Sequence, residues 1–73
     1  MKVGQLKSGQ KGIVSKVLTS EFSTRLLGLG IMPGRNISVK RVGPFGSPFH
    51  IQIGNQSIVL DKLTANTVLV TQK

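Results

Sequence analysis

The chain has 73 residues and no cysteine, so it permits one domain with a small core and excludes both a disulfide scaffold and a thiolate zinc site. No N-terminal stretch has the charged start and long apolar run of a signal peptide, and no apolar segment could cross a bilayer, so we expect a soluble cytoplasmic protein without membrane insertion. Ten Lys and Arg against two Asp and Glu give a net charge of +8, which favours an acidic partner, an anionic membrane face or nucleic acid.

The N-terminal part of the chain predicts one strand after a short lead-in. The lead-in covers residues 3–12 and offers Val3 and Leu6 as its large apolar anchors. Residues 12–18, GIVSKVL, are rich in β-branched and aliphatic side chains, although their alternation is imperfect. They predict the first strand.

A change of period marks the next segment, residues 19–30, TSEFSTRLLGLG. Ser20 is a suitable N-cap, and Glu21 suits the positive end of a helix dipole. Gly30 is suited to end the helix, because a left-handed residue commonly follows the last turn. Three apolar residues recur at helical spacing on one face: Phe22, Leu26 and Leu29. The segment predicts a helix of about two to three turns.

The glycines of RLLGLGIMPGR, residues 25–35, first suggest a phosphate-binding loop. Such a loop must follow a strand and open a helix, whereas Gly28 and Gly30 lie at the end of a predicted helix and before a strand, so the nucleotide interpretation fails. Gly28 is instead interpreted as a position of close approach on the helix. Pro33 and Gly34 predict a turn like type II that redirects the chain into the second strand.

From Arg35 onward the apolar period becomes two, which is typical of half-buried strands. Four runs predict strands: residues 36–42, 49–53, 57–60 and 67–70. The turn-rich segments GPFGSP, GNQ and DKLTAN separate them. The side chains predicted to point inward are Ile37, Val39, Phe49, Ile51, Ile53, Ile58, Leu60, Val68 and Val70.

Five short strands in so few residues must curl to enclose a core, because a flat sheet would leave one face bare and both edges open. We therefore predict a mainly β fold, a small SH3-like five-stranded barrel with one short helix inserted after the first strand. A single domain is expected to cover residues 1–73.

Three blocks of the sequence, in order, spacing and residue type, resemble the FeoA family across nearly the whole chain. They are RLLGLGIMPGR, the hairpin segment GPFGSP, and ANTVLV within LDKLTANTVLV. The resemblance implies a cytosolic SH3-like β-barrel that accompanies the membrane ferrous-iron transporter FeoB, and a similar domain ends some iron-dependent repressors. Two positions depart from the family pattern: Ser47 stands where the hairpin usually carries Asp, and Asp61 stands where an Arg is usual.

The ionisable side chains give no basis for catalysis. Proton or acyl transfer needs a base beside a nucleophile or a pair of carboxylates, and the chain has one His and two acids that are far apart in sequence. The period-two alternation of the third strand predicts that His50 points to solvent. Glu21 is expected to help start the helix. Asp61 is expected to cap the turn after the fourth strand. Ferrous ion needs several imidazole or carboxylate ligands held together, so we predict no metal site. We likewise predict no cofactor and no enzyme activity.

Apolar side chains that a small core cannot absorb define a candidate protein-contact surface. Leu27 and Ile31 form a second row on the helix; this row faces a partner or, alternatively, Leu27 folds under the turn at residues 32–33. Phe45 lies at a hairpin tip with little core beneath it. Arginines are expected to ring these apolar residues and to suit an acidic partner. The predicted interface residues are Arg25, Leu27, Ile31, Met32, Arg35, Arg41 and Phe45.

The resulting hypothesis is a non-enzymatic accessory protein of ferrous iron uptake that docks on the cytosolic part of FeoB and modulates its assembly or GTPase cycle. The alternative is a small basic barrel that binds RNA or the ribosome, which the net charge favours. Against it, the cations are scattered singly and there is no Tyr or Trp for base stacking, so no specific nucleic acid is predicted. A regulatory barrel for a small molecule or peptide is neither supported nor excluded, and self-association stays open.

Overall fold

A single antiparallel sheet of five strands organises the computed structural model, which describes residues 1–72. The strands are β1 Lys11–Val17, β2 Asn36–Val42, β3 Phe49–Ile53, β4 Gln56–Leu60 and β5 Val68–Gln72. Two short helices, α1 Ser23–Gly28 and α2 Lys62–Ala65, lie between strands, and a 3-10 turn, Val3–Gln5, precedes β1. Neither helix in this range is long and apolar enough to span a bilayer. The predicted mainly β fold with five strands is confirmed, and α2 is a second helix that the sequence pattern does not predict.

The strands are ordered β4-β3-β2-β1-β5 in the sheet, and every neighbouring pair is antiparallel. β2, β3 and β4 form a meander, whereas β5 returns to pair with β1. The register shifts between Val14 and Lys16 on β1 and between Val39 and Arg41 on β2, and such irregularities increase local twist. The molecule measures 28 × 24 × 23 Å, and these nearly equal extents indicate that the sheet curls around its core.

The core lies on one face of the sheet, because alternate residues of each strand point toward it. Burial alternates along all five residues of β3, with three buried side chains: Phe49, Ile51 and Ile53. Val3 and Leu6 of the lead-in cover the core from outside the sheet, as predicted, and both are buried. The predicted inward residues of β2 and β5 are buried as well, whereas Ile58 of β4 is only partly buried and packs against the core.

α1 begins later than predicted, at Ser23, and has six residues instead of two to three turns. The predicted N-cap, Ser20, closes a separate turn instead. Its Oγ accepts a hydrogen bond from the Phe22 amide at 3.0 Å, and its carbonyl accepts one from the Ser23 hydroxyl at 2.9 Å. Phe22 occupies the N-cap position, so Glu21 lies outside the first helical turn. The predictions that Ser20 caps the helix and that Glu21 helps to start it are wrong.

The C-terminal end of α1 agrees with the prediction. The Gly30 amide donates to the Leu27 carbonyl at 3.0 Å, and the Ile31 amide donates to the Leu26 carbonyl at 3.0 Å. These two bonds form a Schellman motif, whose left-handed position glycine occupies at the least cost. Gly30 has φ +88°, so the prediction that it ends the helix is confirmed.

Two other glycines of this segment have contrasting surroundings. Gly34 has φ +91° and follows Pro33 in a turn closed by a hydrogen bond from the Arg35 amide to the Met32 carbonyl at 3.2 Å. The predicted turn is therefore confirmed. Gly28 has no atom within 4 Å of the position that a Cβ would occupy, so the prediction of a close approach at Gly28 is wrong.

α2 lies in the segment DKLTAN, whose composition predicts only a turn. Asp61 is its N-cap, and Oδ1 of Asp61 accepts a hydrogen bond from the Thr64 amide at 2.7 Å. The expected capping role of Asp61 is confirmed. The capped helix has four residues, which is too short for the apolar period of a helix to be visible in the sequence.

Candidate protein-contact surface

Phe45 is the most exposed large apolar residue among residues 1–72, with 96% of its surface accessible. It lies at the tip of the hairpin that joins β2 to β3. The Gly46 amide donates to the Gly43 carbonyl at 3.0 Å, and the Gly43 amide donates to the Pro48 carbonyl at 2.9 Å. These bonds close the loop, so the aromatic ring projects from a backbone of defined shape. The exposure of Phe45 agrees with the prediction.

A groove of about 500 Å³ lies beside this hairpin. Apolar and cationic residues line it together, among them Lys7, Val42, Phe49 and Lys62. A Cβ placed on Gly46 would lie 3.8 Å from Lys62 Nζ, so the hairpin tip and α2 are neighbours. An exposed aromatic ring on a hairpin tip, beside a groove that two lysines line, suits a partner surface in which apolar residues are flanked by acids.

Leu27 is the second predicted anchor, and 56% of its surface is exposed. It lines a different groove, of about 260 Å³, together with Lys16, Val17 and Pro33. The alternative in which Leu27 folds under the turn at residues 32–33 is therefore wrong.

Ile31 does not belong to the exposed surface. Its amide completes the Schellman motif at the end of α1, and its side chain lies in the same buried cluster as Leu26, with 0% exposure. The predicted second row of Leu27 and Ile31 is wrong, because the chain turns at Gly30 and helical spacing no longer applies beyond that residue. Met32, which follows, is half-buried.

Arg25 and Asp61 bring opposite charges together between α1 and the start of α2. Both line a cavity of about 130 Å³, together with Phe22 and Val59. Hydrogen bonds from Thr64 lower the pKa of Asp61, and the positive charge of Arg25 lowers it further to a smaller extent. Asp61 thus has a local role as the cap of α2.

The other two predicted arginines lie elsewhere on the surface. Arg35 Nη1 is 3.5 Å from the position of a Cβ on Gly30, and Arg35 Nη2 is 3.0 Å from that on Gly54. The guanidinium therefore lies between the end of α1 and the turn from β3 to β4. Arg41 pairs with His50 in the register of β2 and β3. The three arginines do not form one ring, and none of them lines the Leu27 groove.

Four exposed large apolar residues among residues 1–72 lie outside the predicted interface: Met1, Ile13, Val59 and Leu63. Leu63 on α2 is 68% exposed, and Val59 on β4 is 55% exposed. Leu63 follows Lys62, which neighbours the hairpin tip at Gly46. The outward position of Val59 could be found from the sequence, because it alternates with inward residues of β4. No comparable signal marks Leu63, because α2 is too short to show a period.

The ionisable side chains of residues 1–72 do not converge on a chemical site. No three His, Cys, Asp or Glu residues in this range lie close enough together to hold a metal ion. His50 is half-buried rather than fully solvent-exposed, because it lies between Arg41 on β2 and Val59 on β4. The arrangement offers apolar and cationic contact surface instead of paired acid–base groups.

These features define a small SH3-like β domain that presents exposed apolar side chains on a strongly basic chain. The family model of the FeoA domain matches residues 1–72. The chain therefore belongs to the FeoA domain family.

Solved structures of FeoA proteins share this fold. Iron(II) transport protein A from Clostridium thermocellum is 32% identical with a TM-score of 0.90, over 99% of this chain and 45% of that chain. A FeoA described as an iron uptake regulatory protein is 27% identical with a TM-score of 0.89, over 100% of this chain and 96% of that chain. FeoA of Stenotrophomonas maltophilia, solved with zinc and described as an SH3 domain protein, is 25% identical with a TM-score of 0.88, over 97% and 89% of the two chains. This chain thus spans less than half of the Clostridium protein.

Proposed function

We propose that this protein is a non-enzymatic accessory protein of ferrous iron uptake that docks on the cytosolic region of the transporter FeoB. Docking modulates the assembly or the GTPase cycle of FeoB. The protein resides in the cytoplasm, close to the inner face of the membrane when it is bound. Membership of the FeoA family and the names of its solved relatives support the link to ferrous iron transport.

The observation that carries the proposal is the exposure of Phe45 on a closed hairpin tip. Burying a Phe side chain that is otherwise exposed to water stabilises a complex by about 1.5–3 kcal/mol. Aromatic anchors of this kind commonly dominate interface energetics. Because the loop is already closed by hydrogen bonds, little backbone freedom is lost on binding.

The charge of the chain supports an acidic partner surface. The net charge is +8, and one of the two carboxylate side chains, Asp61, already caps α2. A positive field of this kind accelerates association with an acidic surface and gives binding that weakens with salt. The partner proposed here therefore presents apolar residues flanked by Asp and Glu.

Calorimetric titration of the full chain into the purified cytosolic domain of FeoB from the same organism tests the proposal. We expect Phe45→Ala and Leu27→Ala each to weaken binding by about 1 kcal/mol or more with little change in the thermal midpoint. Val59→Ala is the matched control, because Val59 is also exposed but lies outside the predicted interface. Wild-type affinity in all three variants would show that neither Phe45 nor Leu27 contributes to binding. No binding by the wild-type chain would reject the proposed function.

The alternative of RNA or ribosome binding rests on the same net charge of +8. Counterion release makes such binding strongly salt-dependent. We expect only weak binding of RNA that is independent of sequence and disappears near physiological ionic strength. A defined RNA that is still retained in a gel shift at that ionic strength would favour the alternative.

Iron itself is not expected to bind tightly to this chain, because carboxylate and imidazole side chains do not cluster among residues 1–72. Anaerobic calorimetry with ferrous ion measures this directly. Stoichiometric binding in the micromolar range, about −8 kcal/mol, would contradict a mechanism based on protein contact alone.

A further inference from the structure

A shallow cavity of about 360 Å³, termed here the outer-face cavity, opens on the side of the sheet away from the core. Three strands and the turn from β3 to β4 contribute to it. Its polar lining comprises Lys11, Asn36, Ser38, Lys40 and Gln52, with Gly54 at one end. The β2 members alternate with buried core residues, so their side chains point outward.

The strand register brings these side chains next to one another. Lys11 on β1 pairs with Ser38 on β2, and Ser38 pairs with Gln52 on β3. The row continues to Ser57 on β4, which pairs with Gln52. Ser38 is short, whereas Lys11, Lys40 and Gln52 around it are long. The cavity therefore has a low centre surrounded by longer polar side chains.

Among residues 1–72, the charged side chains that line the outer-face cavity are all positive. Lys11 and Lys40 are exposed and line it. Neither acidic side chain of the protein is among the lining residues. An anion in the cavity would therefore meet two lysines without competition from a lining carboxylate.

Neutral hydrogen-bonding groups complete the lining. Nε2 of Gln52 donates to the Gly54 carbonyl at 3.2 Å, which orients this side chain along the cavity. Ser38 adds a hydroxyl, and Asn36 adds an amide. Cations combined with hydroxyl and amide donors are the groups that recognise phosphate oxygens. No aromatic residue lines the cavity, so it offers no stacking platform for a base.

We propose that the outer-face cavity binds a small phosphate-bearing anion of the size of pyrophosphate or the polyphosphate part of a nucleotide. The cavity volume lies within the range of small-ligand pockets, roughly 300–1,000 Å³. The proposal rests on the outer sheet face alone and does not depend on docking to FeoB.

Titration of the isotopically labelled full chain with sodium pyrophosphate at constant ionic strength, followed by amide chemical shifts, tests the proposal. We expect saturable shifts confined to the strand segments around Lys11, Ser38 and Gln52. The double variant Lys11→Gln/Lys40→Gln should weaken binding about tenfold, or ~1.4 kcal/mol.

The matched control is Lys16→Gln/Lys62→Gln, which removes the same charge at two exposed positions outside the cavity. Its affinity should change by less than about twofold, because only screened, distant charge is lost. If the Lys11→Gln/Lys40→Gln variant fails to fold, Ser38→Asp tests the same prediction by placing a carboxylate at the centre of the cavity and should also weaken binding.

Several results would overturn the proposal. Equal losses in the two lysine double variants would show attraction to net charge alone, and shifts spread over all surface lysines would show the same. Chemical shifts that do not saturate with pyrophosphate concentration would show that there is no specific site. A single-stranded oligonucleotide could also shift the same amides. If it does so at lower concentrations than pyrophosphate, the ligand of the cavity is a nucleic acid backbone and the proposed ligand is wrong.

Discussion

The β2–β3–β4 meander, residues 36–60, and the connection from β1 to β2, residues 18–35, are stabilised in different ways. In the meander, β3 pairs with a strand on each side, and its alternate residues are buried without interruption. The connection is held by turn and capping hydrogen bonds and by few buried side chains, chiefly Leu26 and Ile31. Stabilisation is therefore spread over many positions in the meander and concentrated at a few in the connection.

This difference determines where residues that stabilise the fold are separate from residues that could contact a partner. In the meander, the exposed Phe45 lies in the loop between β2 and β3, outside the strands that carry the buried residues. In the connection, the buried Leu26 and the exposed Leu27 are neighbours on a helix of six residues. Substitutions in the connection should therefore have opposite consequences at adjacent positions.

The largest expected effect is that of Leu26→Ala. Leu26 is 1% exposed, and truncating such a buried Leu costs about 2–5 kcal/mol, which is enough to unfold much of a domain this small. Leu27→Ala should change the free energy of unfolding by less than about 0.5 kcal/mol, because Leu27 is exposed. Thermal and urea unfolding followed by circular dichroism compares the two variants directly. Equal destabilisation would show that α1 has one wide buried face, and the interface would then have to be sought at the Phe45 hairpin.

The next contrast in size is between two glycines of the same segment. Gly30→Ala places a Cβ on a residue with φ +88° and should cost roughly 1–2 kcal/mol. Gly28→Ala meets open space at the end of α1 and should stabilise the protein by roughly 0.5 kcal/mol, because alanine loses less backbone entropy. The free energies of unfolding of the two variants provide the measurement. Changes of the same sign in both would contradict the Schellman motif as the feature that ends α1.

The same difference explains how much of the fold is predictable from the sequence. Period-two alternation is a local property, so the strands of the meander and their buried residues are predicted almost residue by residue. The role of Gly30 at the end of α1 is predicted for a similar reason, because the positive φ there depends on the local backbone alone and favours glycine. The turn at Ser20 competes with the helix start through side-chain hydrogen bonds, and α2 has only four residues, so neither is visible in a pattern.

For the candidate surface, the sequence predicts the exposure of single residues but not their arrangement relative to one another. The exposure of Phe45 and Leu27 follows from their places at a hairpin tip and on a short helix. The positions of Arg25, Arg35 and Arg41 relative to one another depend on how the sheet curls, which no spacing in the sequence reports. The outer-face cavity is hidden for the same reason, because its residues come from three strands that are adjacent only in the folded register.

The smallest effect expected is the pH dependence contributed by Asp61, the cap of α2, which lies outside both regions compared above. Its pKa in the folded protein is lowered by hydrogen bonds from Thr64 and by Arg25, so the charged carboxylate favours the folded state. The contribution is present above the ordinary aspartate pKa of about 3.9 and is lost as the pH falls through the lower pKa of the folded state. Asp61→Asn retains a capping oxygen but cannot titrate there, so its thermal midpoint should depend less on pH in this acidic range. Glu21→Gln is the control, because it removes the other acidic side chain without touching α2, and it should keep the Asp61 contribution. An unchanged acid dependence in Asp61→Asn would show that the capping bond and Arg25 do not stabilise the charged form.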